Sequence, residues 1–247
     1  MNYKLKYNFN KPDPRDYIFK AAINVKTPPN TLLVPVCGVL NQGNLGSCVS
    51  NATCLAVNIA TNGNLINSRL FLYYCCRDAD GSDMESDTGS SIRSICKAIK
   101  NFGLTAETNW PYDISKFSKL PSLNSFRNQY KINSFLYNFI QNGPNLINDI
   151  KNSLISKNVV LFGMKVYSSF MTPYVQNTGI VPIPNTIIEV FMGGHCMAII
   201  GYDETKKYII CQNSWGVNWG DKGKCYIPYA LIQNNNLCMD FTNIIIK

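Results

Sequence analysis

Gln42-Gly43-Asn44-Leu45-Gly46-Ser47-Cys48 runs directly into a segment with helical spacing, Val49, Ala52, Leu55, Ala56 and Ile59, which Asn62-Gly63 closes. The spacing predicts a helix over Cys48 to Thr61 that opens at the cysteine itself. A thiol there sits at the positive end of the helix dipole. Unpaired backbone N–H groups at that end favour the thiolate, which is the nucleophilic form. Gln42, upstream across a glycine turn, offers a side-chain amide that can be aimed at an oxyanion. Alone, the segment also fits a buried structural cysteine at a helix start.

The whole chain sets the bounds around that segment. With 247 residues it can bury a full core, or two half-cores that face each other. A hydrophobic share of 46% with 15% charged residues excludes a disordered tail or a coiled coil. The longest apolar runs, such as Val159-Val160-Leu161-Phe162, are strand-sized, far below the roughly 20 residues of a membrane helix. No membrane partner is expected. The start, Met1-Asn2-Tyr3-Lys4-Leu5-Lys6, is polar and mixed with no apolar stretch behind it, so no signal peptide is expected. The expected location is the cytoplasm or the inside of a virion.

Basic residues outnumber acidic ones by 23 to 15, a formal charge of +8, but they are dispersed and no aromatic ladder runs between them. That pattern implies a soluble basic surface and no nucleic-acid partner. The ten cysteines stand at 37, 48, 54, 75, 76, 96, 196, 211, 225 and 238, without a C-x-x-C pair, and His195 is the only histidine. A structural zinc is therefore not expected. Disulfides and small buried thiols both fit the remaining cysteines.

Residues 1 to about 31 read as irregular, punctuated by Pro12, Pro14, Pro28 and Pro29. Further helical patterns cover Ser68 to Tyr74 and Ser90 to Phe102, the second stopped by Gly103, and residues 145 to 157 fit one more helix. From Val159 onward short β-like runs dominate: Val159 to Val166, Gly194 to Tyr202, Lys207 to Gln212 and Gly223 to Ile227. A helix-rich half followed by a strand-rich half predicts two subdomains with a cleft between them.

Two later segments supply the groups that a nucleophilic cysteine needs. In Gly193-Gly194-His195-Cys196-Met197, the sole histidine follows two glycines into an apolar strand, 147 residues after Cys48. That separation lies inside the window of about 130–150 expected for a Cys–His pair of papain type. In Gln212-Asn213-Ser214-Trp215-Gly216-Val217-Asn218-Trp219-Gly220, Asn213 can accept from the imidazole N–H and fix its tautomer, and Trp215 can shield that bond from water.

Together, Q-G-N-L-G-S-C, G-G-H and N-S-W-G-V-N-W-G resemble the papain family of cysteine peptidases, and the likeness runs from about Pro12 to the end. Pro12-Asp13-Pro14-Arg15-Asp16-Tyr17, Asp87 to Arg93 and Trp110-Pro111-Tyr112 look like the branch found in bacteria, archaea and some large DNA viruses. The resemblance implies an α+β fold of two subdomains, helical over about 40–120 and β-rich and barrel-like over about 121–247, with the active-site cleft between them. Residues 1–31 would be an arm or short pro-segment before a peptidase domain over 32–247. The resemblance also implies Cys48 as nucleophile, His195 as base and acid, Asn213 as orienting residue and Gln42 as oxyanion donor. Gly89, Trp215, Gly194, Gly163 and Met164 would contact substrate, with Phe170 near them. The activity implied is peptide-bond hydrolysis by a monomer on polypeptide substrates, without metal or organic cofactor and open to protein inhibitors. The alternative is a catalytically silent or acyl-transferring protein on the same fold. Three departures stand out. Val49 replaces the aromatic that usually follows the nucleophile, Leu45 replaces the half-cystine before it, and Gly194 replaces an Asp or Asn before the histidine.

Overall fold

The computed structural model describes residues 3–19, 29–130 and 135–246. Helix α1 (Cys48–Ala60) is buried on every side except at its last residue. Its polar residues turn inward on their own backbone. Ser50 Oγ and Asn51 Nδ2 donate to Ser47 O, and Thr53 Oγ1 donates to Val49 O. A helix apolar or internally satisfied all round is a core helix. Helix α2 (Arg69–Ala79) is capped by Ser68, whose hydroxyl accepts from Phe71 N, and α3 (Ile92–Phe102) by Ser91, which accepts from Ser94 N. Gly103 ends α3 at φ 74°, a conformation that glycine adopts without strain. A short α4 (Leu123–Arg127) completes the helical half.

The strand-rich half is one antiparallel sheet of seven strands, β1 (Thr31–Leu33), β2 (Phe135–Phe139), β3 (Val159–Tyr167), β4 (Phe191–Asp203), β5 (Tyr208–Gln212), β6 (Lys224–Pro228) and β7 (Cys238–Ile246). They run in the order β2-β7-β3-β4-β5-β6, with β1 also paired to β4. The barrel-like closure expected from the resemblance is not present. The end strands β2 and β6 do not pair with each other; instead Ile18 bridges to Phe139 on one edge and Ile180 to Tyr226 on the other. Short irregular segments thus satisfy edges that a barrel would satisfy by closing.

Alternation along β3 divides the core. Val159 and Leu161 pack with α1, α2 and α3, whereas Val160 and Phe162 pack on the opposite side with α5 (Leu146–Ile155) and α7 (Tyr229–Ile232). Helix α6 (Pro173–Thr178) adds Val175 to that second cluster. All ten cysteines are free thiols, Cys37 exposed and the others buried, so the cysteines behave as small hydrophobes here. No helix among the described residues is long and apolar enough to cross a membrane. The consequence for function is the seam. The first turn of α1, which carries Cys48, packs on β4, which carries His195.

Candidate active site

The Cys48 sulfur is fully buried, and the backbone N–H groups of Cys196, Val49 and Cys48 itself act on it in the direction that favours the thiolate. His195 is also fully buried, and its Nε2 lies 2.8 Å from Asn213 Oδ1. The same Oδ1 accepts the Ser214 N–H at 2.8 Å, which identifies that atom as the oxygen. An amide oxygen only accepts, so His195 Nε2 must carry the proton and Nδ1 the lone pair. Nδ1 is buried without a hydrogen-bond partner among the described residues.

Aromatic rings pack against the imidazole. Trp215 lies with its ring centroid 4.9 Å from His195, and it packs in turn against Trp219 and Phe170. Gln42 is oriented from several sides. Its backbone N–H donates to Ser214 O, its carbonyl accepts from Tyr112 Oη, and its Oε1 accepts from Ser214 Oγ at 2.6 Å. The hydroxyl bond to Oε1 turns Nε2 the other way, toward Leu45 O at 2.9 Å and Lys4 O at 3.2 Å.

That last contact belongs to a segment that fills the cleft. Tyr3 stacks on Trp215 with centroids 4.1 Å apart and planes 1° apart, and its hydroxyl donates to Trp215 O. Tyr7 N donates to Gly194 O at 2.9 Å, and Asn8 N to Ser90 O at 3.0 Å. A Cβ at Gly89 would lie 1.8 Å from Lys6 O, one at Gly193 2.6 Å from Leu5 O, and one at Gly163 1.9 Å from Tyr7 Cε1. These glycines let the backbone of residues 5–7 lie directly on the cleft walls. Gly89, Gly194, Gly163 and Trp215, expected as substrate contacts, all touch residues 3–7. Met164 does not. It is 2% exposed, on the opposite side of β3 from Gly163, within the second core cluster.

Burial under this segment sets the protonation states. Desolvation pushes the Cys48 thiol up to about 12. The same burial lowers His195 to about 4, against a smaller upward pull from Asn213. In this closed arrangement both the thiol and the imidazole are neutral at pH 7.

Residues 30–243 match the family model described as papain family cysteine protease. The chain belongs to the papain family. Among papain-family relatives, an uncharacterized peptidase C1-like protein of Acanthamoeba polyphaga mimivirus is 32% identical over 269 residues, covering 95% of this chain and 84% of its own. Cysteine proteinase 3 of Dictyostelium discoideum is 28% identical, covering 88% of this chain and 61% of its own. The solved structure of xylellain, a cysteine protease from Xylella fastidiosa, aligns with a TM-score of 0.87 at 28% identity, covering 100% of this chain and 98% of its own. This is a papain-like cysteine peptidase, with a viral protein among its relatives.

Three features of this papain-family site lie outside the roles that the sequence assigns. Ser214 and Tyr112 fix Gln42, and neither carries a motif of its own beyond its neighbours. Asp87 takes the Gly46 N–H on both carboxylate oxygens (3.1 and 3.0 Å), accepts Tyr73 Oη and pairs with Lys4 Nζ at 3.3 Å. That carboxylate ties the nucleophile's loop to residues 86–90, where Leu45 makes a disulfide impossible. The covering segment did leave a signal. Tyr3, Leu5, Tyr7 and Phe9 alternate with Lys4, Lys6, Asn8 and Asn10, the period-two pattern of a strand with one buried face.

Proposed function

We propose that this peptidase cleaves peptide bonds within polypeptides through a Cys48 thioester, and that residues 3–10 hold it latent. Cys48 passes its proton to His195 Nδ1 and attacks the scissile carbonyl carbon. The resulting oxyanion is held by the Cys48 N–H and the Gln42 Nε2 amide. His195 then gives the proton to the departing amine, leaving an acyl-enzyme. Water, deprotonated by His195, adds to the thioester and releases the acid and the Cys48 thiol. Asn213 keeps Nε2 protonated throughout, so that Nδ1 alone exchanges protons with the reacting atoms.

The observation that supports this most is the directed geometry of two amides, Asn213 holding the imidazole and Ser214 turning Gln42 Nε2 toward the carbonyl of Lys4. A carbonyl resting on the proposed oxyanion donor is what a bound polypeptide would supply. The covering segment continues on both sides of Cys48, from Trp215 to Ser90, which favours cleavage inside a chain over trimming of its ends. It also excludes substrate and solvent while it stays, which supports latency. The test is to trap the intermediate with a slowly released activated peptide ester and weigh the protein. One acyl group on Cys48, lost in Cys48→Ala together with proteolysis of a denatured protein substrate, supports the reading. Proteolysis that survives Cys48→Ala overturns it.

A further inference from the structure

A cavity of about 220 Å³, apart from the peptide cleft, lies in the helical half between α1, the start of α2 and residues 37–40. None of residues 3–10 lines it, so the segment that covers the cleft leaves it uncovered. Its walls are mainly apolar, with Val39, Leu40 and Leu55 inside and Ile66, 65% exposed, at the mouth. Asn58 also lines it and is only 8% exposed. The Asn58 Nδ2 donates to Leu65 O at 3.3 Å, and Leu65 is not part of the cavity wall. The Oδ1 end is thus the one left to the cavity, and it has no donor among the described residues. A buried acceptor without a donor is costly, and a ligand that brings a donor removes that cost. The charged groups on the wall, Arg69 and Glu107, already satisfy each other. Arg69 Nη2 lies 3.0 Å from Glu107 Oε1, and Oε2 accepts the Arg69 backbone N–H at 3.2 Å. A charged ligand would lose its hydration here without gaining a free partner.

We infer that this cavity is an effector site for a small, neutral, mainly apolar molecule that carries one hydrogen-bond donor, a phenol or an indole for example, with Asn58 Oδ1 as the acceptor. Arg69 connects the site to the chemistry. Its Nη1 donates to Asn41 O and to Asn51 Oδ1, each at 3.2 Å, and its guanidinium lies 3.9 Å from the Tyr112 ring centroid. Each of those partners holds the catalytic loop. Asn41 precedes Gln42 in the chain, Asn51 Nδ2 donates to Ser47 O at 2.9 Å, and Tyr112 Oη donates to Gln42 O at 3.0 Å. A ligand seated against the guanidinium keeps it on these partners. It therefore steadies both the amide aimed at the oxyanion and the turn before the nucleophile, and it raises kcat.

The experiment titrates the full chain with indole and with benzofuran, a ring of the same shape that lacks the N–H, and follows binding by ligand-observed NMR. Indole should bind with a Kd below about 1 mM, and benzofuran about tenfold more weakly. Asn58→Leu should erase that difference. Ile66→Trp covers the mouth, where it disturbs no buried group, and should abolish indole binding at the wild-type Tm. In the Tyr3→Ala chain, saturating indole should raise kcat on a fluorogenic peptide about fivefold, and Ile66→Trp in that chain should remove the response. Equal affinities for indole and benzofuran overturn the inference, as does indole binding that survives Ile66→Trp, or a failure of both to bind at about 1 mM. Should Asn58→Leu fail to fold, the ring pair and Ile66→Trp still decide. Binding that leaves kcat unchanged overturns the effector role. The rate readout rests on the peptidase reading; if no peptide is cleaved, that reading fails, and the binding measurements judge the cavity on their own.

Discussion

Removing the ring of Tyr3 should open the cleft. Tyr3 lies flat on Trp215, with centroids 4.1 Å and planes 1° apart, and donates to Trp215 O at 3.2 Å. An aromatic pair contributes about 1 kcal/mol beyond its buried area, and a hydrogen bond of this kind a further ~1 kcal/mol. Tyr3→Ala thus weakens the closed form by about 2 kcal/mol, which multiplies the open fraction about 30-fold where the closed form dominates. The initial rate of hydrolysis of a fluorogenic peptide, measured at a concentration well below KM, reads that fraction directly. Tyr3→Phe keeps the stack and loses the hydroxyl bond, so its rate should rise only about fivefold. An unchanged or slower rate for Tyr3→Ala, in a protein with the wild-type Tm, would refute the argument that residues 3–10 limit access.

Gln42→Ala should lower kcat by about 10²-fold, the usual loss with one oxyanion donor, while circular dichroism stays that of the wild type. Wild-type turnover would remove Gln42 from the mechanism. Asn213→Ala should lower kcat more than it raises KM, because it frees the imidazole tautomer and not a substrate contact; the split is read from steady-state kinetics. Asp87→Ala removes the acceptor of the Gly46 N–H and of Tyr73 Oη, and should cost about 3 kcal/mol, a fall in Tm of roughly 6–12 °C by calorimetry. Acid should weaken the closed chain through His195, whose pKa is lowered from 6.5 to about 4. The unfolded ring binds a proton below 6.5 that the folded ring refuses until about 4, so this contribution is present above 6.5 and is lost as pH falls between those values. At pH 5 the loss is about 2 kcal/mol, visible as a steeper fall of Tm from pH 7 to pH 5 in the wild type than in His195→Gln.

The helical half was largely legible because its signals are local. The apolar spacing after Cys48 gave α1 to within a residue, and Gly103 marked the end of α3. Helix α2 runs to Ala79, past the expected end at Tyr74, because Arg77 is buried and donates to the Met84 and Ser86 carbonyls, partners that no local pattern announces. Strands β3 to β6 were readable from their apolar runs. Strand β7 was not, since Asp240 at φ 60° interrupts its alternation, and β2 has β7 as its neighbour among the described strands. The site divides in the same way. Gln42, Cys48, His195 and Asn213 sit in motifs, and the chain brings each to the cleft. Ser214 and Asp87 act through neighbours distant in sequence, so only the folded chain reveals those contacts. Residues 3–10 read as irregular in the sequence although Tyr3, Leu5, Tyr7 and Phe9 alternate, because the surface they cover is formed by glycines far along the chain.

The most direct measurement is which of the ten thiols a limiting amount of an epoxysuccinyl peptide modifies at neutral pH in the Tyr3→Ala chain, read by tandem mass spectrometry of the digest. On accessibility alone Cys37, the exposed one, should react first. The account predicts that Cys48 takes the label ahead of Cys37, and that His195→Gln abolishes this priority. Labelling confined to Cys37, with Cys48 unmodified after the cleft is opened, would contradict it.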